Sequence, residues 1–232
     1  MKTSTPKEKI ILFSHGFGIR KDNLGLFDFL AEKLTSLEIT SRQFDYYDYN
    51  TETKEVVTFP FSVHADKLKV QLDLLKTEFP EKDIVIIAQS QGGVIPAFLS
   101  DLTKVTQVIA ISPYFLTDRE EVFARYAARP GNETNLEGTS YRPHKDGTIT
   151  VIPKEYWNER FRTNPVALLN RLAEKVKLTL FFGKQDSLIK NLDQKLLLQS
   201  MIINIDANHD FTGDNSRETL WDWVKTLLFA NS

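Results

Sequence analysis

One serine, one aspartate and one histidine stand in this chain where their types and spacing can do acyl-transfer chemistry. Ser90 ends the apolar run Ile84-Val85-Ile86-Ile87-Ala88-Gln89 and is followed by Gln91-Gly92-Gly93. The run of β-branched residues predicts a strand buried on both faces. The glycine pair permits a sharp turn and close packing that lift the serine hydroxyl above the sheet. A serine hydroxyl is a weak nucleophile at neutral pH, so it needs a histidine to take its proton and a carboxylate to hold that histidine. His209 lies in Asp206-Ala207-Asn208-His209-Asp210-Phe211, just after the last predicted strand, and is the candidate base. Asp186 follows the strand expected at Leu178 and is the candidate acid; the chain order Ser, Asp, His is the one a serine on such a turn predicts. Blander readings stand beside these. A serine between small residues also serves as a turn or helix cap, Asp186 can cap the following turn, and Asp206 and Asp210 are the other candidate acids. Among the remaining histidines, His64 precedes a helix near its apolar face and reads as structural, His144 sits beside a turn and reads as solvated, and His15 borders a glycine turn that it shapes.

Composition bounds what such a site can act on. The chain has 232 residues, 41% hydrophobic and 26% charged, which suits one globular core. A formal charge of -2, from 29 Lys+Arg and 31 Asp+Glu, creates no field to draw in nucleic acid or an anionic membrane. A small partner that is not polyanionic is expected. With Cys 0 there are no disulfides, thiolate metal sites or cysteine nucleophiles, and neither a metal nor a cofactor is expected. The opening stretch Met1 to Lys9 is polar, and no apolar run approaches the ~18 residues of a membrane span, so a soluble, cytoplasmic protein is expected.

The elements that must position the three residues follow from periodicity. Strands are expected near Ile10, Ile39, Ile84, Val105, Leu178 and Met201, mostly separated by helices, which implies a parallel sheet covered on both faces. Asn23 caps a helix through Phe27, Leu30, Leu34 and Leu37; Leu68, Leu72, Leu75 and Phe79 mark a second; Gly92 to Leu102 reads as a third despite Pro96; and Asn215 with Glu218 opens the last. Asp45 to Pro60 lacks apolar periodicity and reads as a loop. Residues 113–173 exceed any ordinary crossover and read as an insertion into a core of 1–112 and 174–232. Within it Thr117 with Glu120 predicts a helix start, Asp146-Gly147 a hairpin turn and Asn164-Pro165 a final helix. Being rich in aromatic residues, the insert is expected to form a lid over the carboxyl edge of the sheet; the alternative is an excursion packed elsewhere. Tyr141, Tyr156, Trp157 and Phe161, with His15, are the candidate substrate-binding residues.

Taken together, these residues resemble the α/β-hydrolases, and the likeness covers nearly the whole chain outside the insert. Ala88-Gln89-Ser90-Gln91-Gly92 looks like that family's nucleophile elbow, with Ala88 in place of the first glycine; Asp186 looks like its acid and His209 like its base. His15-Gly16-Phe17-Gly18 resembles its oxyanion loop, and the resemblance implies that the backbone N–H groups of Phe17 and Gln91 form the oxyanion hole. A minimal six-stranded, mostly parallel sheet is implied, because only nine residues precede the first strand, leaving no room for an opening hairpin. The family's F-D-x-R-G-x-G stretch is absent: Phe44-Asp45 continues as Tyr46-Tyr47-Asp48. Ser-Gln-Gly-Gly with a lid is similar to small carboxylesterases, including cinnamoyl and feruloyl esterases; acyl-protein thioesterases share the tetrapeptide. A small-molecule ester is the expected substrate, with a thioester or mere ligand binding as alternatives.

Overall fold

The computed structural model describes residues 8–189, 192–213 and 215–230; Met1 to Lys7 of the polar opening stretch lie outside them. In chain order come β1 (Lys9–Ser14), α1 (Leu26–Thr35), β2 (Thr40–Arg42), β3 (Asp48–Asn50), β4 (Glu55–Val57), α2 (Phe61–Glu78), β5 (Asp83–Gln89) and β6 (Val105–Ile111). Then follow α3 (Arg119–Ala127), β7 (Ser140–Pro143), β8 (Ile149–Ile152), α4 (Lys154–Arg162), α5 (Pro165–Ala173), β9 (Lys177–Gly183), β10 (Met201–Ile205) and α6 (Ser216–Phe229).

Six strands form the main sheet in the order β10-β9-β6-β5-β1-β2, every pairing parallel. Alternate side chains along each strand supply two cores. Ile84, Ile86 and Ala88 face α2 and the insert with Leu68, Leu72 and Leu169, whereas Val85 and Ile87 face Phe27, Leu30, Trp221 and Val224 of α1 and α6. Burial on both faces explains why the central strands read as unbroken apolar runs. Among the described residues, no helix is long and apolar enough to cross a membrane.

The structure differs from several expectations. Asp45 to Pro60 is not all loop: β3 and β4 join β7 and β8 of the insert in a second sheet, ordered β3-β4-β8-β7. Strands of three residues, half-buried at best, carry no period that a sequence can display. Gly92 to Leu102 is not one helix but two 3₁₀ turns, Ser90–Gly93 and Ile95–Phe98, because Pro96 has no N–H to continue an α-ladder. α3 is capped by Asp118, whose side chain accepts from the Glu121 N–H, one residue beyond the expected Thr117. Asn215 precedes α6 without a side-chain cap, and Glu218 pairs with Lys33 instead. Asn23 does not cap α1; its Oδ1 accepts from the Gly16 N–H at 3.1 Å, tying down the loop after β1.

Among the described glycines, the tightest approach is at Gly92. A Cβ there would lie 2.1 Å from the Ser14 carbonyl oxygen and 2.5 Å from that of His15, both backbone atoms at the end of β1. Neither can yield without moving the sheet. Gly92→Ala is expected to lower the unfolding free energy by about 1–3 kcal/mol or more, as overpacking does. Urea unfolding measures it, and a variant as stable as the parent would show that this packing is looser than described.

Candidate active site

The strand-to-turn junction at the carboxyl end of β5 holds Ser90 at φ 52, in the left-handed region that a non-glycine residue rarely occupies. Such strain persists only when surroundings impose it. Here they do: Ala88 pairs with Ser14 on one side and Ala110 on the other, and Gly92 lies against the end of β1. Ala88 is completely buried among these small neighbours, which is why the elbow tolerates it where a glycine is usual.

The loops after β9 and β10 complete the arrangement. A Cβ on Gly183 would meet the Ala207 carbonyl at 2.4 Å, so the bare glycine lets the loop carrying Asp186 press against the loop carrying His209. Phe211, fully buried at φ 51, anchors the second loop in the core. His209 Nε2 then lies 3.0 Å from Ser90 Oγ, and His209 Nδ1 lies 2.7 Å from Asp186 Oδ2. The other carboxylate oxygen, Asp186 Oδ1, accepts from the Leu188 N–H at 2.8 Å. Burial raises the Asp186 carboxyl, but the hydrogen bond and charge of His209, with the Leu188 N–H, outweigh it and hold the group below the usual carboxylate range. With its side chain 0% exposed, Asp186 is an ionised acceptor aimed at one imidazole nitrogen while the other faces the serine. Neither Asp206 nor Asp210 makes this contact: Asp206 accepts from Gln185, and Asp210 borders the cavity at Ser90.

Phe17 and Gln91 both line that cavity, and a Cβ on Gly16 would come within 3.2 Å of the Ser90 Cβ, so the β1 loop lies directly beside the elbow. His15 is buried under the loop, outside the cavity lining. Its Nδ1 donates to the Gly16 carbonyl and its Nε2 accepts from the Tyr46 N–H, both at 2.9 Å, so it shapes the turn and touches no ligand space. The aromatic residues expected to line the pocket do not. Tyr156 and Trp157 are 0% exposed, packed edge to face at 5.2 Å in the interior of the insert. Tyr141 is exposed on β7, and Phe161 stacks on Trp157 beside a separate surface hollow. Sequence richness in aromatics marked the insert's core. The lining comes instead from Phe17, Tyr114, Tyr126, Leu116 and Leu188, with four arginines.

Gln89 and Gln91, which flank Ser90 in the elbow, hold the site from behind through side-chain contacts to which the motif itself gives no role. Gln89 donates to the His209 carbonyl at 3.2 Å. Gln91 donates to His64 Nδ1 and accepts from the Tyr156 hydroxyl, both at 2.8 Å, bridging α2, the elbow and the insert. His144 lies apart, bonded to Thr150.

No protein-family model matches the sequence, and no curated protein matches it either. Solved structures do. Est1E from Butyrivibrio proteoclasticus is 16% identical with a TM-score of 0.69, covering 99% of this chain and 89% of its own. A Paleococcus ferrophilus monoacylglycerol lipase is 15% identical with a TM-score of 0.68, covering 100% of this chain and 98% of its own. The fold is that of the α/β-hydrolases. An E-2-(acetamidomethylene)succinate hydrolase is also similar, at 15% identity and a TM-score of 0.64, over 100% of this chain and 93% of its own. Neighbours named for such different compounds give the α/β-hydrolase architecture and leave the choice of ligand to the cavity.

Two imidazoles beneath the site set its acid stability. Burial holds His15 down to about 4 and His64 down to about 3, against 6.5 in an unfolded chain. Below 6.5 the unfolded state therefore binds protons that the folded state refuses, so the stability these residues contribute is full above that pH and is lost as pH falls toward about 4 and about 3. Each is expected to cost about 2 kcal/mol at about pH 5 relative to about pH 7. Urea unfolding at the two pH values tests this, and an unchanged free energy would mean that the imidazoles are solvated.

Proposed function

We propose that this chain is a serine carboxylesterase. The observation that carries the reading is the continuous hydrogen-bonded line from Ser90 Oγ through both nitrogens of His209 to a buried Asp186, built on a strained elbow. Similar folds that include an esterase and a lipase support it. Ser90 Oγ attacks the ester carbonyl while His209 Nε2 takes its proton, and the Asp186 carboxylate holds Nδ1–H and stabilises the imidazolium that forms. The N–H groups of Phe17 and Gln91 receive the developing oxyanion. Collapse of the tetrahedral intermediate breaks the bond to the alcohol, which leaves with the proton from His209. Water, deprotonated by the same nitrogen, then attacks the acyl-serine and releases the acid, returning the proton to Ser90. No cofactor takes part.

Residues 113–173 act in this account as a lid. Tyr126 and Arg142 of the insert line the cavity above Ser90, and the Tyr156 hydroxyl fastens the insert to the elbow through Gln91. A covered nucleophile is a desolvated one, and the oxyanion donors act more strongly there than in water.

Hydrolysis of p-nitrophenyl acetate is the direct test. Ser90→Ala and His209→Ala are each expected to lower kcat by roughly 10⁶-fold or to the uncatalysed rate, and Asp186→Asn by roughly 10⁴-fold. Full activity in Asp186→Asn would remove the acid from its role. A parent protein that hydrolyses neither oxygen esters nor thioesters would be a ligand-binding relative of the fold.

A further inference from the structure

The cavity at Ser90 is small, about 180 Å³, and its charges are one-sided. Arg125, Arg129, Arg142 and Arg160 line it against a single carboxylate, that of Asp210. Arg125 has a partner, since its guanidinium donates to Glu121 at 2.8 Å. The other three have none: among the described residues no carboxylate lies within ion-pair distance of Arg129, Arg142 or Arg160.

Arg129 is exposed, with its guanidinium 5.9 Å over the Tyr126 ring, but the settings of the other two make this costly. Arg160 is 6% exposed; it donates to the Tyr156 hydroxyl at 3.0 Å and the Leu116 carbonyl at 3.2 Å, lies 4.2 Å over the Tyr114 ring, and leaves Nε without a partner. Arg142 is half-buried, with Nη1 3.6 Å from where a Gly18 Cβ would sit, which places its guanidinium over the loop beside Ser90. Burial and the neighbouring charge of Arg129 both act to lower Arg142. Gathering like charges in a partly desolvated hollow is unfavourable unless an anion joins them. A planar guanidinium offers paired donors that match the two oxygens of a carboxylate or a phosphate.

We infer that the cavity is an oxyanion subsite, and that the ester cleaved at Ser90 carries a carboxylate or phosphate group held by Arg142 and Arg129, with Arg160 supplying buried positive charge from behind. The inference rests on the ester-cleaving reading, and the experiment separates the two. At about 180 Å³ the hollow suits a short anionic acyl chain. The insert thereby selects charge where its aromatic content suggested selection of rings.

The test compares mono-p-nitrophenyl succinate, p-nitrophenyl phosphonopropanoate and p-nitrophenyl isocaproate, whose branched end has the shape of a carboxylate without its charge. The better of the two anionic esters is expected to exceed the neutral one in kcat/KM by roughly tenfold or more, the return on a charge-assisted hydrogen bond. Which anion wins identifies the source of the charge. Arg142→Gln and Arg129→Gln should each lower the ratio of anionic to neutral kcat/KM several-fold. Binding is read independently of turnover by the rise in Tm with glutarate or methylphosphonate, expected in the parent and diminished in Arg142→Gln. A ratio at or below one, or no rise in Tm with either anion, overturns the subsite. Loss of all ester turnover with the Tm rise intact would instead overturn the esterase reading and keep the subsite.

Discussion

The approach of the β5–turn junction to the end of β1 is the constraint on which the rest depends. Because Gly92 has no side chain, the backbone after Ser90 rests directly on the carbonyls of Ser14 and His15, and Ser14 Oγ donates back to the Gly92 carbonyl at 2.9 Å. That contact fixes the elbow and the loop beside it as one rigid unit. Ser90 is held at φ 52 and aimed above the sheet, while Phe17 is brought to the same cavity from the neighbouring strand. In the proposed mechanism, Ser90 and the N–H groups of Phe17 and Gln91 thus need no rearrangement to meet a substrate, which is what electrostatic preorganisation requires. Gly183 does the equivalent for the other half of the site, since its close contact with the Ala207 carbonyl sets the Asp186 loop against the His209 loop.

Behind these backbone contacts lies a buried polar network. His64, Gln91, Tyr156 and Arg160 form a chain of hydrogen bonds running from α2 through the elbow into the insert. Each member is buried, so a missing partner would leave a polar group without water to replace it. The network therefore makes the position of the insert depend on the elbow and the reverse. His15 and Asn23 do similar service for the β1 loop, one beneath it and one beside it.

Much of this was legible in the chain. The main sheet was readable because its central strands are buried on both faces and show as uninterrupted β-branched runs. That Ser90, Asp186 and His209 would come together was readable because a parallel sheet places every strand's carboxyl end on one edge. The second sheet was hidden, since β3 and β4 are three residues each and β4 pairs with β8, some ninety residues along the chain. The lining of the cavity was hidden for a different reason. Aromatic content says that side chains will be buried, but not whether against ligand or against each other, and Tyr156 and Trp157 chose each other. The arginines that took their place come from α3, the segment after it, β7 and α4, and only the folded insert gathers them.

The central claim is that Ser90 is a nucleophile activated by His209 and Asp186. Reaction with a fluorophosphonate, followed by peptide mass spectrometry, tests it most directly, because the reagent modifies only a serine whose hydroxyl is deprotonated on attack and needs no knowledge of the natural substrate. The account predicts one adduct per chain, located on Ser90, and its loss in His209→Ala. An unmodified Ser90, or equal labelling of the His209→Ala variant, would contradict it.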